Sequence, residues 1–309
     1  MTYEVVTFDE GEAPLTWSGV VDAIEAGHRF PRAEIGDTIL RRGRDTLLSR
    51  SAWIDGMGLV VKTATVFPGN GEGGKPSVNG AVNLYSDVDG TLEALIDFHL
   101  VTKWKTAGDS LLATRLLARR DSQTILIIGA GAVGYSLREA YSELFPDARF
   151  IVWNRSADRA ERLAAAFPVT EVIADLGSAV ASADVIACAT MSTEPIIRGE
   201  WLQPGQHLDL IGAYRTDMRE ADDTALTRSR IFVDSRETTI DHIGELCDPI
   251  GRGVIDRDAV IADFYDIESG AFQRSSDAEI TLFKNGGGAH LDLMTSRYIL
   301  DGRRRQLSS

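Results

Sequence analysis

The stretch whose reading decides the fold runs from Thr124 to Arg155, TILIIGAGAVGYSLREAYSELFPDARFIVWNR. It opens on an isoleucine-rich apolar run, Thr124–Ile128, too short for a helix and suited to a buried strand. Gly129, Gly131 and Gly134 follow in the spacing G-x-G-x-x-G, and an amphipathic segment from Ala132 to Phe145 ends at Pro146 and Asp147. A second apolar run, Phe150–Trp153, comes next. Strand, glycine turn, helix and strand in one unit make a dinucleotide-binding fingerprint of what would otherwise be a bare glycine pattern. Gly129 permits the tight turn, Gly131 lets the backbone approach a pyrophosphate, and Gly134 lets helix and strand pack closely. The N–H groups of Ala132 and Val133, at the positive end of the helix dipole, complete an anion cradle.

Downstream the alternation continues. Helices are expected at 158–167, at 176–183 and after Met218, and strands at 169–173, 184–189, 207–211 and 231–233. That order builds an α/β fold with a doubly wound, mostly parallel sheet, in which ligands collect beyond the carboxyl ends of the strands. Those ends are Gly129–Gly134, Asn154-Arg155, Thr190–Thr193, with Thr190 and Met191 as candidate cofactor contacts, and Gly212–Tyr214. Residues 235–275 read as irregular with some helix. A strand at 279–283, the loop Lys284-Asn285-Gly286-Gly287-Gly288 and a helix from His290 to Leu300 close the chain, with Arg303–Arg305 as a solvated tail. Lys284 and Gly286 join the candidate cofactor contacts.

Upstream the pattern differs. A strand at 3–8 and an acidic loop to Pro14 precede an amphipathic helix from Trp17 to Phe30. Short β-type runs at 38–40, 58–67, 78–85 and 92–98, parted by Gly, Asn, Asp and Pro, form a meander. Alternation puts Val60, Lys62, Ala64 and Val66 on one face. Lys62 therefore shares an apolar face, either as a ligand-binding lysine or as one snorkelling from a sheet edge. A long helix, residues 99–118, carries Lys105 and Asp109 one turn apart, with the small residues Thr106, Ala107 and Gly108 between them.

The net charge of −14 argues against nucleic acid or an acidic membrane as partner. An anion site must then be a local concentration of cations. Only five of the 32 basic residues are lysines, and three of these, Lys62, Lys105 and Lys284, lie at the positions already singled out. No apolar run approaches the length of a membrane helix, and an acidic N-terminus without an apolar core argues against a secretory signal. Two cysteines, Cys188 and Cys247, build no disulfide framework, so a reducing cytoplasm is expected. Cys188, inside an apolar run, reads as a buried structural thiol. The five histidines show no metal-ligand spacing, and no metal site is expected.

An NAD-selective fold ends its second strand in Asp or Glu, which accepts from the ribose 2′-hydroxyl. Here that position is Asn154, followed by Arg155, with Arg159 one turn into the next helix. Arginine pairs with a 2′-phosphate, so NADP(H) is preferred and NAD(H) is the alternative.

The segments VKTATVFPGN (61–70), KWKTAGDSLLATRLLAR (103–119), IIGAGAVG (127–134), VWNRS (152–156), ATMSTEPII (189–197), IGAYRTDMRE (211–220) and LFKNGGGAHLDL (282–293) resemble the ornithine cyclodeaminase/μ-crystallin family across nearly the whole chain. The resemblance implies a Rossmann-type NAD(P)-binding domain, residues 119–288. It also implies a second, β-rich substrate-binding and dimerisation domain made of residues 1–118 and 289–309. It puts the family's substrate-site lysine at Lys62, and Lys105 where the family usually has arginine. The family's early substrate-binding arginine has no secure counterpart; Arg41, Arg42 and Arg44 are candidates.

Tyr214 stands where cyclodeaminases and alanine dehydrogenases of the family carry aspartate; the ketimine reductases, μ-crystallin included, also lack it. Without that carboxylate a second cationic amine is poorly held. Reducing a cyclic imino acid needs only a cation for the carboxylate, a hydride donor and a proton source. The expected activity is therefore NAD(P)H-dependent reduction of Δ1-pyrroline-2-carboxylate or its six-membered homologue by a cytoplasmic homodimer. Lys62 and Lys105 are the expected catalytic residues, with Arg41, Arg42 and Tyr214 as candidate substrate contacts. Ornithine cyclodeaminase and an alanine dehydrogenase-like enzyme are the rival activities. A non-catalytic, crystallin-like NADP(H)-binding protein is the rival from another class.

Overall fold

The computed structural model describes residues 3–308. The chain divides into two compact units. One runs to Lys105 and resumes at Gly288; the other is Thr106–Gly287.

In the first unit β1 (Glu4–Val6), α1 (Phe8–Glu12) and α2 (Trp17–Gly27) precede five strands, each antiparallel to the next. These are β2 (Glu34–Arg42), β3 (Asp45–Ile54), β4 (Gly58–Val66), β5 (Val78–Tyr85) and β6 (Leu92–Asp97). The sheet order is β1-β6-β5-β4-β3-β2, with β1 parallel to β6 and the rest a meander. The Thr16 hydroxyl caps α2 by accepting from the Gly19 N–H, and Trp17, Val20, Val21 and Ile24 bury its apolar stripe. In β4 the alternation holds: Val60, Lys62 and Ala64 are buried between half-exposed neighbours.

Several expectations need correcting here. Residues 8–12 are helical rather than loop, with Asp9 and Glu10 at the dipole's positive end. Strand β3 was not anticipated, and only the middle of β2 was. Both strands are broken by charged residues, and most of their side chains are partly or fully exposed, so no clean alternation shows. β4 lies inside the sheet, which removes the sheet-edge alternative for Lys62.

Helix α3 (Phe98–Leu117) leads into the second unit. There follow β7 (Thr124–Ile128), α4 (Ala132–Leu144), β8 (Arg149–Trp153), α5 (Ala157–Ala166), β9 (Thr170–Val172), α6 (Leu176–Ser182) and β10 (Val185–Cys188). Next come β11 (His207–Leu210), α7 (Asp223–Arg228), β12 (Ser229–Val233), α8 (Arg236–Thr239), α9 (Gly244–Gly251), β13 (Val260–Ala262) and β14 (Ile280–Lys284). All eight strands pair in parallel, in the order β13-β12-β14-β11-β10-β7-β8-β9. The order reverses between β7 and β10, so the glycine turn after β7 stands at the topological switch point. Leu126, Ile128, Ile186, Leu208, Leu210, Ile231 and Leu282 are fully buried in one apolar core, as parallel strands covered on both faces require. The short strand β13 lies in the region expected to be irregular.

α10 (Ala289–Leu307) returns the chain to the first unit and packs against α2, β3 and β4. It outruns the expected helix. Arg303 to Arg305 are its last full turn, not a tail, with Arg303 paired to Glu10 and Arg304 to Glu4. Cations there also complement the negative end of the helix dipole.

Candidate functional site

Antiparallel register sets the first cluster. Asp37 on β2 faces Arg50 on β3, and Arg50 faces Lys62 on β4, so three charged side chains form a row on one sheet face. Arg50 donates to Asp37 from Nε at 3.2 Å and 3.0 Å to the two carboxylate oxygens, with a further guanidinium nitrogen at 2.9 Å. The Lys62 ammonium donates to Asp292 Oδ1 of α10 at 2.8 Å and lies 4.9 Å from the centre of the Phe98 ring. Lys62, Lys105 and Asp292 are all buried.

The electrostatics follow from that packing. Burial lowers the Lys62 pKa; Asp292 opposes this, while Lys105 and Arg50 add to the lowering. Burial would raise the Asp292 carboxyl, but Lys62 and Lys105 hold it below the usual carboxylate range. His290, two residues before Asp292, meets His28 edge to face at 5.3 Å, and burial keeps it well below its ordinary pKa, hence neutral. Arg50, Lys62 and Lys105 thus bring three cations near Asp292, and since a buried ion pair is a poor source of stability the arrangement suits ligand binding better than holding the fold.

Lys62 and Lys105 come together as expected. Arg41 and Arg42 do not join them. They stand at the end of exposed edge strand β2, four and five positions beyond Asp37, and Arg42 pairs with Asp45. Arg50 and Asp292 were missed. Recognising β3 would have put Arg50 opposite Lys62, and Asp292 is an acid set between two leucines in HLDLM.

In the second unit the glycine turn has the form the spacing implies. Gly129 adopts φ +107°, and a Cβ there would meet the Ala189 carbonyl oxygen at 2.6 Å. A Cβ on Gly134 would collide with the Gly129 carbonyl, whereas Gly131 faces open space. No side chain caps α4, so the first-turn N–H groups, including those of Ala132 and Val133, remain suited to an anion. These residues fit a dinucleotide pyrophosphate. Asn154 Oδ1 accepts from the Ala130 N–H at 3.0 Å, and its amide donates to the Ser156 carbonyl, so it braces the glycine turn. Arg155 and Arg159 are exposed just beyond β8.

The loops after β10 and β11 are held by a residue not singled out from sequence. The fully buried Glu220 carboxylate accepts from the Thr190 N–H (2.7 Å) and hydroxyl (2.9 Å), and from the Gly212 (2.6 Å) and Ala213 (3.3 Å) N–H groups. Glu245 in turn accepts from the N–H groups of Glu220 and Ala221 at 2.7 and 3.0 Å. Burial and the nearby Glu220 push the Glu245 carboxyl up to about 7. Met191 and Tyr214 project from these braced loops, 68% and 53% exposed. The Asp234 carboxylate accepts from the Gly286 and Gly287 N–H groups, fixing the last glycine loop. The Lys284 ammonium is fully buried and donates to the Leu210 and Asn285 carbonyls, a structural employment unlike the contact expected of it. Asn285 in turn donates to the Thr106 carbonyl of α3 at 3.2 Å. Cys188 is fully buried, and burial raises its thiol well above the ordinary value, as a structural cysteine requires.

Residues 51–306 match the model of the ornithine cyclodeaminase/mu-crystallin family. A Delta(1)-pyrroline-2-carboxylate reductase of Paracoccus denitrificans is 47% identical over 302 residues, 96% of each chain. Among solved structures, the Thermococcus litoralis Delta(1)-pyrroline-2-carboxylate reductase in complex with NADH and L-proline superposes with a TM-score of 0.90 at 25% identity, covering 98% of each chain. An archaeal alanine dehydrogenase dimer with bound NAD gives 0.91 at 25% identity, covering 99% of this chain and 98% of that one. On the family match and the extent of these likenesses, the chain belongs to the ornithine cyclodeaminase/mu-crystallin family.

Proposed function

We propose that the protein reduces a small cyclic imino acid, Δ1-pyrroline-2-carboxylate or Δ1-piperideine-2-carboxylate, to the cyclic amino acid, using NADPH in preference to NADH. The observation that carries this reading is the Lys62–Asp292 pair buried beside Lys105, with the partly exposed Arg50–Asp37 pair next to it on the same sheet face. A planar ring carboxylate brings an anion to these cations. Lys105 and Arg50 bind that carboxylate, and Lys62 gives a proton to the ring nitrogen. A bound reduced nicotinamide supplies the hydride. The first turn of α4 holds its pyrophosphate, and Arg155 with Arg159 favours a 2′-phosphate. The near full-length likeness to the Paracoccus reductase supports the reaction.

Tyr214 in place of the family's aspartate weighs against ornithine cyclodeaminase. The buried lysines weigh against a purely cofactor-binding, crystallin-like role, which has no use for them. A homodimer fits Leu40, Leu47 and Trp53, exposed apolar residues on one sheet face of the first unit. No helix among the described residues is long and apolar enough to cross a membrane, and the two free cysteines fit a reducing, cytoplasmic setting. The test is NADPH and NADH consumption with each cyclic imino acid, run beside an ornithine-to-proline assay. Imine reduction with a lower KM for NADPH supports the reading, and proline from ornithine without imine reduction overturns it.

A further inference from the structure

Lys62 has one carboxylate in contact, Asp292, and two other cations acting on it. Arg50 faces it from β3, Lys105 approaches from α3, and its own burial adds to the pressure to lose a proton. Asp37, the other carboxylate of the row, is taken up by Arg50. From α10 come His290, kept neutral by burial, and Asp292; His28 at the end of α2 donates from Nδ1 to the Ile24 carbonyl at 2.8 Å. Among these groups, the Asp292 contact at 2.8 Å is the one that favours an ammonium on Lys62.

We propose that Asp292 is the positioning residue of Lys62: its carboxylate aims the ammonium and secures the proton that Lys62 hands to the substrate nitrogen. This rests on the reductase reading above. In the step, the C=N π bond opens, a C–H bond forms with the hydride electron pair from the reduced nicotinamide, and an N–H bond forms with the Lys62 proton. The nicotinamide is oxidised, and the neutral Lys62 amine recovers a proton from solvent. Asp292 touches no reacting atom and acts through Lys62. It is ionised when it aims the ammonium, because Lys62 and Lys105 hold its carboxyl low against the opposing effect of burial. A neutral partner would leave Lys62 to shed its proton at lower pH, and the site would lose its acid.

The test uses the full chain. The pH dependence of kcat/KM for Δ1-pyrroline-2-carboxylate is measured for wild type, Asp292→Asn and Asp292→Glu. Binding of pyrrole-2-carboxylate, a planar ring carboxylate that is not reduced, is followed calorimetrically across the same pH range. In Asp292→Asn the alkaline fall in kcat/KM moves to lower pH by at least about one unit. Pyrrole-2-carboxylate affinity fails over the same lowered range, while NADPH affinity stays within about twofold. Asp292→Glu keeps the charge but displaces it, so the alkaline fall stays within about half a pH unit while kcat drops about tenfold. A wild-type profile in Asp292→Asn overturns the inference. If that variant does not fold, Asp292→Glu decides: wild-type kcat, or a displaced alkaline fall, overturns it. A wild type that reduces no cyclic imino acid defeats the underlying reading instead, an outcome the two variants cannot mimic.

Discussion

Arg50 and Lys62 stand directly opposite one another on neighbouring antiparallel strands, two cations on the same sheet face. Like charges so placed repel, and a sheet built for stability alone avoids them. Asp37 and Asp292 flank the pair and hold each cation in place, and Lys105 adds a third positive charge. On the proposed function, this row is what receives the substrate carboxylate.

Arg50→Gln should therefore raise the KM for pyrroline-2-carboxylate by about ten- to a hundredfold, the loss of one charge-assisted contact of roughly 1.5–3 kcal/mol. NADPH affinity should change little, and Arg41→Gln with Arg42→Gln should behave as wild type. Steady-state kinetics on the three variants checks this; an effect at Arg41 or Arg42 equal to that at Arg50 would restore the edge-strand arginines as ligands.

Glu220→Gln turns an amide N–H₂ toward N–H donors that the carboxylate now accepts from. Losing this brace should cost on the order of 3 kcal/mol of stability and weaken cofactor binding more than substrate binding. Denaturant melts combined with cofactor titration measure both, and undiminished cofactor affinity would reduce Glu220 to a purely structural residue.

Asp209 of β11 is fully buried, accepts from the Tyr141 hydroxyl at 2.7 Å, and has its carboxyl pushed up to about 7 by burial. The raised value fixes the sign. Between about pH 4 and 7 the unfolded chain has released this proton and the native state has not, so stability falls as pH rises. The decline amounts to at most about 1.4 kcal/mol per pH unit and is complete above about 7. Asp209→Asn removes it. Urea melts of both proteins from pH 5 to 8 should therefore diverge, wild type losing ground to the variant as pH rises; parallel curves would contradict the assignment.

Arg155→Ser combined with Arg159→Ala should raise the Kd for NADPH about tenfold or more while leaving that for NADH within about twofold. Equal losses for both cofactors would mean that these arginines do not read the 2′-phosphate.

The parallel sheet was legible because its strands are buried on both faces and its glycine turn has little freedom: Gly134 is pressed against the Gly129 carbonyl, where no side chain fits. Alternation put Lys62 on an apolar face, and the family resemblance gave it a site role. Arg50 was not, since β3 lacks a clean alternation and its place depends on pairing with β4. Asp292 meets Lys62 across 230 positions of sequence, and no local pattern announces such a contact. Glu220 was seen only as the last letter of IGAYRTDMRE. Its work of tying Thr190 to Gly212 and Ala213 appears once the two loops are side by side.

The central claim, that the cation cluster around Lys62 serves reduction of a cyclic imino acid, is tested most directly by one comparison. NADPH oxidation with Δ1-pyrroline-2-carboxylate is measured for wild type and Lys62→Met, beside cofactor affinity for each. The account predicts turnover in wild type, its loss by at least about a hundredfold in Lys62→Met, and NADPH affinity unchanged within about twofold. Turnover in Lys62→Met equal to wild type would contradict it.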